Sequence, residues 1–402
     1  MSYIETNHNK VLELHATISL TFIYFTGYMM LQPILPLYII DIGASKFELG
    51  ILMSMMPLVT ILTRIPFGYI SDRFGKWFTL LMSLLMQLIA FLLYSIATSP
   101  IHIYPITSLY ALSFASFGPV SIAMALDSAS MNKRGREMGK YYTSIGLSMI
   151  LGPLLAGFMA LQFNYNEMFF LASFLPLFCI ILFFIIYLKW GTMSSLEKST
   201  QVIKENYFPL KSIFRILRSR NIFAICYAQI AFFIATGAFG TLYPIYAKET
   251  LWLTASTISI LFAIRGFPNA LIRIPIGVLS DSIGRKKPLI LGYSLTFLAL
   301  FFIPSASQIV AIAILMGIYG IAWGIRTAPT AAFMGDNVKP TEINLVSSLI
   351  WLTCDIGLVL GSFMGGTATL LLDIPTILKV TSLSLLTGIL ALAFIEDCNV
   401  VK

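Results

Sequence analysis

Three ionisable side chains stand where no loop can hold them: Arg265 in "FAIRGFPN", Arg326 in "WGIRTAPT" and Asp355 in "LTCDIGLV". Each lies roughly 15–20 Å, at 1.5 Å per residue, from an end of a long apolar run. A charge at that depth is costly in hydrocarbon and faces the interior of a bundle, where it marks a solute or ion path. Two arginines against one aspartate leave a net positive site. A guanidinium fork matches a carboxylate or a phosphate, and a partly desolvated Asp355 could take up a proton. A second reading stays open, in which Arg326 and Asp355 form a buried structural ion pair. Softer candidates lie on two other apolar runs. Tyr24, Tyr28 and Gln32 accompany Met29 and Met30 on the first, and Gln229 and Tyr243 accompany Tyr227 on the seventh. The stretches "LPLY" (35–38) and "YPIY" (243–246) put prolines where helices bend and free backbone groups to line a cavity. The same aromatic stripes also serve as ordinary packing.

These residues need apolar elements to carry them, and the composition supplies them. Of 402 residues, 58% are hydrophobic and 11% charged, about half the charged share of a soluble domain. The apolar runs are of bilayer-crossing length. A stretch such as "FFLASFLPLFCIILFFIIYL" lacks the alternation of a barrel strand, so the chain reads as an all-α integral membrane protein. Twelve spans are expected, at about 15–40, 48–70, 77–98, 102–128, 139–161 and 167–189, then 221–247, 256–279, 288–304, 308–334, 345–371 and 374–395. The first follows a polar start with no cleavable signal, and is expected to be retained.

Lysine and arginine orient the spans. Nineteen of 26 fall on the side of the two termini, and Lys46, Lys248 and Lys379 fall on the other, so both termini are expected in the cytoplasm and the chain in the plasma membrane. The net charge of +8 follows from this bias and does not call for nucleic acid. A polar interval separates the sets of six spans, giving expected domains 1–189 and 221–402 joined by a cytoplasmic linker, 190–220, partly an amphipathic surface helix. Cys179, Cys226, Cys354 and Cys398 have no metal-ligand spacing and read as packing residues.

The two sets are copies. "RIPFGYISDRFGK" from Arg64 recurs 209 positions on as "RIPIGVLSDSIGRK" from Arg273, with seven of the first twelve residues identical. In the same register Asp127 maps onto Asp336, Gly152 onto Gly361, Ala156 onto Gly365, and Tyr110 onto Tyr319. Two pseudo-symmetric six-helix bundles of parallel topology follow, the architecture that places a solute site at the repeat interface. Arg265 and Asp355 have no charged counterpart: Met56 and Gly146 occupy those places.

At this point the chain resembles the major facilitator superfamily over essentially its full length. Gly68, Asp72, Arg73, Gly75 and Lys76 match that family's loop between the second and third spans, and Gly277, Asp281, Gly284 and Arg285 match the second copy. Asp127, Arg136 and Asp336 complete the charged set that the resemblance implies for a conformational latch. Gly68 is expected to allow close helix approach, and Gly75 a tight turn. In the fifth span, Gly139, Ser148, Gly152, Pro153, Ala156 and Gly157 resemble the family's antiporter motif, which is expected to serve helix packing, with the small residues Ser148 and Ala156 standing where that motif has glycine.

An enzyme has no support: no phosphate-cradling loop is present, and His8, His15 and His102 do not cluster into a metal site or a triad. The expected function is a secondary transporter of a small organic anion, working as a monomer by alternating access, without a cofactor and driven by the proton gradient through Asp355. The alternatives are a multidrug/proton antiporter, suggested by the fifth span and the aromatic lining, and a receptor or scaffold that kept the fold without transport.

Overall fold

The computed structural model describes residues 2–128, 134–189, 215–338 and 343–395, with 2–11, 134–136, 187, 189, 274 and 343–347 described by backbone only. The expected linker lies outside the described residues over 190–214, as does Cys398. Among the described residues twelve helical spans are present, each long and apolar enough to cross a membrane. Spans 1 to 5 are single helices, Ser2–Asp41, Lys46–Phe74, Lys76–Ile96, Pro100–Ser128 and Arg134–Met159. Span 6 is built from Tyr165–Ala172 and Phe174–Lys189. Spans 7 to 11 are Arg220–Glu249, Ala255–Ile283, Lys286–Phe302, Ile309–Asp336 and Ile343–Ala368. Span 12 repeats the broken form of span 6, as Ile374–Ser382 and Ser384–Ala393. Among the described residues there is no strand.

Local chemistry sets where the spans begin. Ser45 and Glu48 exchange hydrogen bonds at the start of span 2, and Asn164 and Glu167 form a full capping box at span 6. Thr254 and Asp373 accept from the backbone N–H three residues on, at spans 8 and 12. At the start of spans 3 and 9 the turn is made by glycine instead. Gly75 has φ 92° and Gly284 φ 89°, a conformation costly for any residue with a Cβ, and the two stand 209 positions apart.

Contacts group the chain into two compact units, one of Met1–Gln32 with Val59–Glu205 and one of Pro33–Leu58 with Asn206–Lys402. The second therefore takes in residues 33–58, which the expected domain 1–189 had assigned to the first. The physical reason is a close approach: a Cβ on Gly50 would lie 2.5 Å from the Cα of Gly366, and Lys46 pairs with Glu249 at 2.7 Å.

Small residues bring backbones together inside each unit, as membrane helices require when lipid offers no hydrophobic drive. In the first, a Cβ on Gly152 would meet the Thr26 carbonyl at 2.6 Å and Met29 Cβ at 2.7 Å, and Ser148 Oγ donates to the Phe22 carbonyl at 2.8 Å. In the second, Gly357 and Gly361 hold span 11 against Ile230, Phe233 and Ile234 of span 7. Gly320 and Gly324, one turn apart on span 10, lie against the backbone of Arg265 and Asn269 on span 8. That last stripe positions the two deep arginines.

Candidate functional site

With spans 8 and 10 in backbone contact, Arg265 and Arg326 project into one aromatic neighbourhood of the second unit. They are 5% and 4% exposed. The Arg326 guanidinium lies 3.8 Å from the centroid of Phe232, 5.0 Å from that of Phe233 and 5.9 Å from that of Trp323. Arg265 lies 4.8 Å from Phe262, 5.5 Å from Tyr319 and 5.6 Å from Trp323. Trp323 thus serves both cations. Tyr319 is fixed by a bond from its hydroxyl to Thr236 Oγ1 at 3.2 Å.

Arg326 Nη1 donates to Gln229 Oε1, and Gln229 Nε2 donates to Cys354 Sγ at 3.9 Å. Among the described residues no carboxylate lies within 4.0 Å of the Arg326 guanidinium, and its buried Nε has no hydrogen-bond acceptor. The ion pair with Asp355 that the sequence left open is therefore not formed. At Nη1 the acceptor is the neutral amide of Gln229 on span 7 instead. Burying an ion costs several kcal/mol even after relaxation. Ring faces return about 2 kcal/mol for a desolvated cation, and a charged hydrogen bond about 1.5–3 kcal/mol. A demand for negative charge remains at Arg326.

Asp355 is 5% exposed on span 11, next in sequence to the Cys354 that accepts from Gln229. Tyr243 is fully buried and stacks on Phe239 at 4.6 Å, and Phe239 meets Tyr319 edge-on at 5.6 Å, so Tyr243 joins the arginine region through two rings. Sequence reasoning missed Trp323, Phe232 and Tyr293. A signal for Trp323 was present, because it lies three residues before Arg326 on the same helix face.

The first unit holds Tyr24, Tyr28 and Gln32. Tyr24 is a core residue, 1% exposed, stacked on Phe117 at 3.7 Å with rings 1° apart, and its hydroxyl is 2.9 Å from Ser113 Oγ. Ser113 in turn donates to the Ser83 carbonyl at 2.7 Å, and Gln87 donates to the Tyr24 carbonyl at 3.3 Å. Tyr28 stacks on Phe114 at 4.7 Å, and it and Gln32 keep partial exposure.

The repeated loops carry matching ion pairs within each unit. Lys76 of span 3 pairs with Asp127 at the end of span 4, and Arg285 pairs with Asp336 at the end of span 10, 3.4 Å apart. Arg285 also pairs with Asp281 and donates to Ser280 Oγ at 2.8 Å. Lys286 caps the chain end of span 12, donating to the carbonyls of Ala393 and Ile395 at 2.7 and 2.9 Å. Asp72 and Arg73 are exposed. Asp72 has no partner among the described residues, and Arg73 lies 5.5 Å from the Phe74 ring. The Arg136 side chain lies outside the described residues.

Two glycine readings are corrected. A Cβ on Gly68 or on Gly139 would meet nothing within 4 Å, so neither serves close helix approach here, because both sit on exposed faces. At Gly277 such a Cβ would reach Ala328 at 4.0 Å, an ordinary contact. In the fifth span the packing role rests with Ser148 and Gly152, while Pro153, Ala156 and Gly157 are buried.

The comparisons with known proteins agree with this architecture. The family model described as Major Facilitator Superfamily matches residues 17–362 and 225–397. An uncharacterized MFS-type transporter of Methanocaldococcus jannaschii is 22% identical over 94% of this chain and 96% of its own. The multidrug resistance protein MdtG of Proteus mirabilis is 24% identical over 86% of each. Among solved structures, a nucleoside transporter NupG mutant aligns over 95% of this chain and 99% of its own, with TM-score 0.77 and 13% identity. A peptide transporter POT aligns over 95% and 94%, with TM-score 0.76 and 14% identity, which supports the fold alone. By its family match, its span count and its fold, the chain is a member of the Major Facilitator Superfamily, a transporter and not an enzyme.

Proposed function

We propose that the solute of this transporter is a small organic anion and that its movement is coupled to protons. The observation that carries the reading is Arg326: a guanidinium 4% exposed, hydrogen-bonded to a neutral amide, with no carboxylate within ion-pair distance among the described residues. An anionic solute supplies the missing charge, and Arg265, which shares the Trp323 ring with Arg326, adds to the field that attracts it. Asp355, buried one residue from the Gln229 contact, is the proton carrier in this scheme. Gln229 and Tyr243 complete the site in the second unit. The chain acts as a monomer in the plasma membrane, both termini in the cytoplasm, and it needs no cofactor. The loop ion pairs at Asp127 and Asp336 belong to the conformational latch rather than to the solute.

A second reading, a multidrug/proton antiporter, is supported by the relatives named multidrug resistance protein MdtG. Two buried arginines oppose it for cationic drugs, because they repel such a substrate. Flux into proteoliposomes separates the two. Organic-anion uptake driven by an imposed pH gradient, lost in Arg326→Ala and Arg265→Ala and uncoupled from pH in Asp355→Asn, supports the anion reading. Cation efflux that survives both arginine substitutions overturns it.

A further inference from the structure

The surroundings of Arg326 narrow the anion further. The Phe232 ring, 3.8 Å from the guanidinium carbon, and the Phe233 and Trp323 rings crowd its surroundings, and Gln229 takes Nη1. What remains is the edge that carries Nε, a buried donor without an acceptor. Near Arg326 stands Tyr293 of span 9. This residue is fully buried, and its hydroxyl makes no hydrogen bond within 3.5 Å, though it stands near enough to Arg326 to receive one on a small shift. Its ring meets Phe232 edge-on at 5.5 Å, and it lies close enough to Arg326 for the two to interact electrostatically. The preceding residue, Gly292, is what lets span 9 come so near: a Cβ there would be 3.3 Å from Arg326 Cβ. Two buried donors on spans 9 and 10 are therefore left without acceptors in one place, among rings that restrict approach to the guanidinium plane.

We infer that the site recognises a carboxylate, taken edge-on by Arg326 with the Tyr293 hydroxyl as an additional donor, and that it discriminates against tetrahedral oxyanions. The inference rests on the anion reading above and assigns Tyr293 as a specificity-determining residue. A planar carboxylate lies in the guanidinium plane and forms two parallel bonds. A sulfonate or phosphonate carries a third oxygen out of that plane, toward the rings. Gln229, a neutral amide on Nη1, does not neutralise the cation and so does not compete for charge with the incoming ligand.

The experiment measures thermal stabilisation and affinity of the purified full chain against pairs of ligands with one carbon skeleton and different head groups: carboxylate, sulfonate and phosphonate. The expected result is carboxylate binding at least ten-fold tighter than either tetrahedral partner. In Tyr293→Phe, carboxylate affinity falls about ten-fold, the effect of losing one hydrogen bond to a charged group. Its unliganded melting temperature monitors folding. In Arg326→Lys, charge is kept and the fork is lost, so the preference between head groups collapses. Equal binding of carboxylates and sulfonates by the unsubstituted protein overturns the inference while leaving the anion reading intact, and full affinity in Tyr293→Phe removes Tyr293 from it. Failure of every anion to bind overturns both.

Discussion

The two repeats of this chain solve one packing problem with opposite chemistry. Phe117 and Arg326 occupy equivalent positions on spans 4 and 10, and Tyr24 and Phe233 occupy equivalent positions on spans 1 and 7. In the first unit the pair is an aromatic stack, rings 3.7 Å apart. In the second it is a guanidinium 5.0 Å from a ring. Three residues earlier, Phe114 stacks on Tyr28, where its counterpart Trp323 lies within 6 Å of two arginines. The duplicated frame is thus the same, and the second copy has exchanged neutral ring-on-ring contacts for cations that rings cover without neutralising. The shared aromatic faces preserve the frame, and the charge on which the proposed function rests stands in one copy at this position.

The sharpest way to break that comparison is to undo the exchange. Arg326→Phe restores the residue of the first repeat. Solute transport should fall by about 100-fold or more, consistent with loss of a charged contact worth about 3 kcal/mol. Stability of the unliganded protein should hold or rise by about 1–4 kcal/mol, because a buried charge is replaced by a packed ring. Purified protein that unfolds on this substitution would mean that Arg326 is structural.

A smaller contrast lies in the helix-packing stripe. Ser148 and Gly357 are equivalent, as are Gly152 and Gly361. In the first unit the serine adds a cross-helix hydrogen bond, and in the second glycines alone make the contact. Gly361→Ala should destabilise by about 1–3 kcal/mol through overpacking against Ile234. Ser148→Gly should cost about 0.6 kcal/mol, the typical value of one hydrogen bond between membrane helices. Melting in detergent at fixed lipid content compares the two directly.

The least effect is expected where the repeats agree. Lys76–Asp127 and Arg285–Asp336 are equivalent ion pairs, each with a substantially exposed acid. Asp127→Asn and Asp336→Asn should each change stability by no more than about 1 kcal/mol. A larger loss of transport rate than of stability would assign these acids to the conformational cycle.

Much of this was legible in the sequence. Twelve apolar runs, the 209-residue register and the turn glycines at 75 and 284 follow from length, repetition and the need for positive φ. Arg265, Arg326 and Asp355 stood out because a charge deep inside an apolar run is costly and rare. Their partners were not visible. Gln229 meets Arg326 across 97 residues of sequence, and a neutral amide in a membrane span carries no signal of which helix it faces. Gly68 and Gly139 misled for a related reason: a glycine on an exposed helical face and one at a tight crossing read alike in sequence. The grouping of residues 33–58 with the second unit also rests on tertiary contacts, such as Gly50 with Gly366, that no local pattern encodes.

The measurement that bears most directly on the account is ligand stabilisation of the purified protein, since a ligand that binds the folded state raises its melting temperature whatever the direction of transport. Matched panels of organic anions and lipophilic cations should be compared on the unsubstituted chain and on Arg326→Phe. The account predicts that anions, and not cations, raise the melting temperature in proportion to their concentration, and that the shift disappears in Arg326→Phe. Stabilisation by cations with none by anions, or an anion shift unchanged in Arg326→Phe, would contradict it.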